Sequence, residues 1–167
     1  RRQRQMCIRD RSLPFVLFME ITFIGLPILI HGVLGIYIWW RSQSNPRDYG
    51  YLRNWLYFFQ RWTGIVAFVF ILLHVYNMRI AWTFDPEVEH VSFNYVSQYL
   101  TSFPVVLFYA LGVGCAAFHF ANGIWNFLIK WGVTVGPRAQ RDMLYVCGAI
   151  GVVMFGGFMV SLIGFIV

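Results

Sequence analysis

Charge and paired cysteine are scarce in this chain. Only 12% of its 167 residues are charged, against 59% apolar and 20% aromatic. An ordinary soluble domain carries about twice that share of charge, so a water-facing surface over one packed core is excluded. The three cysteines, Cys7, Cys115 and Cys147, form no Cys-x-x-Cys pair. That argues against a zinc site, an iron–sulfur cluster or a covalently attached haem. No Gly-rich phosphate loop, paired carboxylates or Ser-His-Asp set is present, so the chain has no catalytic constellation of its own. No internal repeat, low-complexity tract or secretory cleavage pattern is visible.

What is present is four apolar stretches, at about 15–40, 62–84, 103–129 and 143–167, each long enough to cross a bilayer as a helix. The expected fold is all-α: an integral membrane helical bundle with four transmembrane helices. Residues 51–59 form an aromatic approach to the second span, and residues 83–102 a polar outer loop with a short helix. Pro27 predicts a kink in the first span. The glycines of the last span, Gly148, Gly151, Gly156, Gly157 and Gly164, are expected to serve packing.

The formal net charge of +6 is concentrated at one end, since five of the 13 basic residues lie within the first eleven. From Ser12 onward there are eight basic and six acidic residues, with no basic stripe for nucleic acid. Arg41, Arg47, Arg53 and Arg61 flank the first loop, and Lys130, Arg138 and Arg141 the third. The second loop has Arg79 beside Asp85, Glu87 and Glu89. Seven basic residues against one place the first and third loops in the cytoplasm. The five N-terminal arginines then fall on the wrong side. Residues 1–11 are read as a non-native, adapter-like string, and residues 12–167 as the membrane domain, continued upstream in the natural protein.

Three histidines lie deep in apolar stretches: His31, His74 and His119. An ionisable ring at that depth is costly and marks a functional site by default. Imidazole is also a common axial ligand of haem iron. The competing reading of each is a packed, hydrogen-bonded core histidine. Helix rise separates the three by depth. His31 lies ten residues before Arg41 and His119 eleven before Lys130, which is about 15–17 Å from the inner surface in both cases. Equal depth suits two axial ligands of one haem. His74 lies thirteen residues after Arg61, about 20 Å from that surface, and has no partner of equal depth. His90, among acidic loop residues, is not a ligand. Two imidazoles close both axial positions, which suits electron transfer. Lys130, Arg61, Arg53 and Arg138 are candidate contacts for haem propionates, or else snorkelling or docking cations. Glu20, the one acid inside a span, is a candidate proton or quinone residue near the outer face, or an interfacial carboxylate.

With these residues placed, the chain resembles the cytochrome b membrane anchor of succinate dehydrogenase and fumarate reductase, in the class with a single five-helix, two-haem subunit. The stretches that carry the likeness are Ser12-Leu-Pro-Phe, His31-Gly-Val-Leu-Gly-Ile-Tyr, Tyr51-Leu-Arg-Asn-Trp, Gln60-Arg-Trp-Thr-Gly, His74-Val-Tyr, Phe118-His-Phe-Ala-Asn-Gly and Trp131-Gly-Val-Thr-Val-Gly-Pro-Arg-Ala-Gln-Arg. The resemblance implies five helices in the intact protein, with the first and its histidine missing here. It implies two haems b. His31 and His119 would ligate the inner one, and His74 the outer one with the lost histidine. It also implies flavoprotein and iron–sulfur subunits at the cytoplasmic face, and menaquinone as the quinone. Dicarboxylate chemistry would belong to the flavoprotein. The implied location is the prokaryotic cell (inner) membrane, as a multi-pass protein amid lipid. Alternatives are the cytochrome b of another quinone-linked dehydrogenase or hydrogenase, and a haem-free small transporter or structural membrane protein.

Overall fold

A computed structural model describes residues 15–80 and 92–166. The adapter-like reading of residues 1–11 and the position of His90 lie outside the described residues. Four long helices are present: α1 (Val16–Arg41), α2 (Leu52–Ile80), α4 (Phe103–Lys130) and α5 (Pro137–Ile166). A short helix, α3 (Phe93–Tyr99), lies between α2 and α4. All four long helices have the length and apolarity to cross a membrane.

The chain divides into two units, Arg1–Ser42 and Gln43–Val167. The first holds α1. Its helical path is α-helical over Val16–Met19, widens to π-helical turns over Glu20–Gly25, and returns to an α-helix over Leu26–Arg41. Pro27 accounts for the widening. It has no N–H to give to the preceding turn and its ring crowds the carbonyl four residues back. The ladder therefore shifts to i→i−5 spacing, as in Leu26 N–H to the Ile21 carbonyl.

In the second unit, α4 packs against both α2 and α5. Large side chains nest against small ones. Gly112 of α4 sits under the Phe70 ring of α2, in space that even a Cβ would fill. Phe70, Tyr109, Leu100 and Leu162 form a buried cluster between the later part of α2, the start of α4 and the end of α5. There α3 is tied to α5 by Ser97 Oγ donating to the Phe165 carbonyl at 2.7 Å, and by Phe93 stacked on Phe165 at 5.1 Å. Of the five α5 glycines expected to serve packing, only Gly151 would bring a Cβ against a neighbour, Ala121 at 3.0 Å. Gly148, Gly156, Gly157 and Gly164 face open space.

Two helix boundaries run beyond the apolar stretches. The aromatic approach at 51–59 is continuous with α2, because Tyr51 to Gln60 contains no breaker once Pro46 and Gly50 have passed. Helix α5 begins at Pro137, a residue pre-set for a first turn. Between α4 and α5 the chain turns in a Schellman motif. Val133 N–H donates to the Leu128 carbonyl at 2.9 Å and Gly132 N–H to that of Ile129 at 3.1 Å, with Gly132 at φ 69°. A side chain there meets the left-handed penalty of about 1–2 kcal/mol. Gly132→Ala should therefore lower the thermal unfolding midpoint of the detergent-solubilised protein, while Val133→Ala, two-thirds exposed, should leave it nearly unchanged.

Candidate functional site

His119 projects from the middle of α4 onto α2, where the sequence Gln60-Arg-Trp-Thr-Gly64 receives it. Its Nδ1 lies 2.9 Å from the Gln60 carbonyl oxygen. A carbonyl only accepts, so Nδ1 carries the proton and the imidazole lone pair resides on Nε2. The ring rests on Gly64. A Cβ there would stand 2.7 Å from His119 Cε1 and 2.9 Å from Nδ1, closer than carbon packing allows. Gln60 also fastens the backbone beneath the ring, its Nε2 donating to the His119 carbonyl at 3.0 Å. Asn122, one helical turn on, donates to Gln60 Oε1 at 2.7 Å and to the Leu56 carbonyl at 3.2 Å. Asn126 donates to the Asn122 carbonyl at 2.9 Å. Ring, amides and two helix backbones form one network.

His74 of α2 has a different setting at the outer end. Its Nδ1 is 3.3 Å from the Tyr109 hydroxyl of α4. Its ring stacks on Phe70 at 5.8 Å, and Tyr109 meets Phe70 edge-on at 5.3 Å. Asn77 donates to the Tyr99 hydroxyl at 2.9 Å, and the Tyr99 ring lies 6.1 Å from that of Tyr109. Gly64 and His74 are ten residues apart on α2, and Tyr109 and His119 ten apart on α4. Both helices thus set the two histidine positions about 15 Å apart in depth.

His31 and Glu20 stand on α1 in the other unit. His31 is on its α-helical part, ten residues before Arg41; Glu20 opens the π-helical part. Of the cations, Arg53, exposed near the start of α2, reaches across the helix ends. It donates to Gln140 Oε1 and lies over the Trp125 ring at 5.7 Å. Trp125 Nε1 donates to the Gln140 carbonyl at 2.7 Å, and Gln140 Nε2 to that of Thr134 at 3.3 Å. Arg61 lies over Tyr57 at 4.5 Å. Lys130 closes α4, exposed, and Arg138 is exposed near the start of α5.

Among the described residues, no three of His, Cys, Asp and Glu converge on a bare metal ion. A haem iron asks the protein for axial ligands alone, since its macrocycle fills the equatorial plane. The residues fit that demand. A His119 ring seated in a glycine cradle, with Nδ1–H on a carbonyl and its lone pair on Nε2, is the arrangement metal-ligating histidines adopt.

Comparison with known proteins is decisive at this point. A family model described as the succinate dehydrogenase/fumarate reductase transmembrane subunit matches residues 48–158. The chain belongs to that family. It is 43% identical over 135 residues to the succinate dehydrogenase cytochrome b558 subunit of Bacillus subtilis (strain 168), covering 81% of this chain. The chain spans 65% of the length of that curated relative. No solved structure matches it. Among the alternatives weighed from sequence, the match falls on the succinate dehydrogenase/fumarate reductase side. This member of the transmembrane-subunit family is a multi-pass membrane protein.

Reasoning from sequence missed Gln60, Gly64, Asn122 and Tyr109 as residues around the histidines. The spacing held part of the signal. Gln60 and Gly64 are four apart and His119 and Asn122 three apart, so each pair shares a helix face. Only the fold shows that those faces meet. Gly64→Val should displace the His119 ring, because the added atoms occupy its seat. The expected result is loss of at least half of any b-type haem from the purified membrane protein, read by pyridine haemochrome. Gly164→Val, on α5 where a Cβ meets nothing within 4 Å, serves as the control.

Proposed function

We propose that this chain is the haem-b-bearing membrane anchor of a succinate:quinone oxidoreductase, an electron-transfer subunit without dicarboxylate chemistry of its own. The observation that carries the reading is the His119 imidazole, held at mid-membrane depth by the Gln60 carbonyl with its lone pair on Nε2. His31, at the same depth counted from the ends of α1 and α4, would hold the same haem. His74, about 15 Å away along the helices, would hold a second, outer haem b together with a ligand from another element. Haem b, when bound, supplies one-electron chemistry between a cytoplasmic iron–sulfur subunit and a membrane quinone, menaquinone in our reading.

This chain's residues do the holding. Gln60 fixes the tautomer and orientation of His119. A hydrogen bond to the non-ligating nitrogen raises the basicity of the ligating one, which favours the oxidised iron. Gly64 keeps α2 thin enough for the ring to lie flat against it. Arg61, next to the residue that orients His119, is placed to meet a propionate, with Lys130 at the inner end of α4. Arg53 has propionate reach only by leaving Gln140 and Trp125. Glu20 is the one carboxylate of α1 placed to hold a proton near the outer face. The basic first and third loops face the flavoprotein and iron–sulfur subunits.

A reduced-minus-oxidised spectrum of the purified protein should show a b-type band, and its absence would end the reading. His31→Ala and His119→Ala should each remove the same haem, and His74→Ala the other, as resolved by redox titration. If His31→Ala and His119→Ala removed different haems, the depth pairing would be wrong.

A further inference from the structure

The hydroxyl of Tyr109 stands toward His74 as the Gln60 carbonyl stands toward His119. Tyr109 is buried, and three rings hold it: Phe70 edge-on at 5.3 Å, Phe108 at 6.0 Å and Tyr99 at 6.1 Å. Its hydroxyl lies 3.3 Å from His74 Nδ1 and has no other hydrogen-bond partner among the described residues. The Tyr99 hydroxyl, by contrast, is engaged elsewhere and accepts from the Asn77 side-chain amide at 2.9 Å. The His74 ring is itself stacked on Phe70 at 5.8 Å, with 29° between the planes. Phenol and imidazole are therefore both seated on the Phe70 ring, with the hydroxyl oxygen facing one ring nitrogen.

A phenolic oxygen accepts as well as donates. A histidine that ligates through Nε2 carries its proton on Nδ1 and gives it to a neighbouring acceptor. We infer that Tyr109 is the positioning residue of the outer haem site. Its hydroxyl oxygen accepts from His74 Nδ1–H, fixes the plane of the ring and makes Nε2 a stronger donor to iron. This rests on the proposed function, in which His74 holds a haem. Tyr109 touches neither haem nor reacting atom in this role; it acts through His74. The sign of its effect follows from the hydrogen bond. An acceptor on Nδ1–H raises the basicity of Nε2, which favours the oxidised iron, so removing the acceptor raises the midpoint potential of the outer haem. The carbonyl beside His119 belongs to the backbone and survives any change of side chain. A phenol can be removed, or weakened in place.

The test is a spectroscopic redox titration of the full-length protein in lipid nanodiscs, the outer haem being the one that His74→Ala removes. Tyr109→Phe should raise the outer midpoint, so that the reduced-to-oxidised ratio at a fixed potential grows at least about threefold, or about 30 mV for a one-electron couple. The inner midpoint should stay where it is. Meta-fluorotyrosine incorporated at position 109 keeps ring and hydroxyl but makes the oxygen a poorer acceptor, and should shift the outer midpoint the same way by less. Tyr99→Phe, which removes a hydroxyl that serves Asn77, should leave it unchanged. An unmoved or lowered outer midpoint in Tyr109→Phe would overturn the assignment, as would an equal shift of both haems or an equal shift in Tyr99→Phe. If Tyr109→Phe loses the outer haem, the fluorotyrosine protein decides alone, and no shift there overturns the assignment. Two b-type haems that ignore position 109 would sink this inference and leave the proposed function standing. A wild-type protein without a b-type band would refute the proposed function and this assignment with it.

Discussion

The seam between α2 and α4 depends on the contact of His119 with the Gln60–Gly64 turn. Helices in lipid gain little from hydrophobic burial between them, so their association relies on close packing and on polar groups that would otherwise be unsatisfied. Here both act at one place. Gly64 removes the side chain that would hold the helices apart. Gln60 and Asn122 then bond to one another and to two helix carbonyls across the gap. The polar residues that make the seam also orient the imidazole, so packing and ring geometry stem from the same side chains.

The outer half of the same seam uses aromatic surface rather than amides. Phe70 is admitted by Gly112, and its ring forms a floor for both His74 and Tyr109. The two halves repeat at a ten-residue offset on both helices. Ten residues is about 2.8 helical turns, so the two positions on each helix stand about 80° apart around its axis. The two imidazoles cross this seam in opposite directions at different depths, His119 from α4 onto Gly64 and His74 from α2 toward Tyr109.

Much of this was legible in the sequence, for physical reasons that also mark where reading stopped. Span length and apolar content are local properties, so four long helices could be foreseen, and the widened turn before Pro27 follows from a missing N–H. Depth is also local, because rise per residue is constant; His119 and His74 could be ranked without coordinates. Helix ends at Leu52 and Pro137 ran past the apolar stretches, because a helix continues until a breaker stops it, not until hydrophobicity fades. The contacts around the histidines were not legible. Gln60 and Asn122 are separated by 62 positions, and nothing in either local pattern states that their faces meet. The α5 glycines misled in the other direction. A glycine-rich stretch reads as a packing surface, yet only Gly151 meets a neighbouring side chain among them.

Arg53 shows how the same cation can satisfy two rules at once. Counted by position, it is one of the basic residues that hold a loop on the inner side. In the fold, its guanidinium is committed to Gln140 and Trp125, and through them to Thr134, tying the start of α2 to the turn between α4 and α5. A planar guanidinium can stack and donate together, which a lysine at that site could not. Lys130 and Arg138, at the end of α4 and the start of α5, are exposed as Arg53 is, and extend the same basic surface. One basic residue at the inner face thus builds the surface as well as charging it.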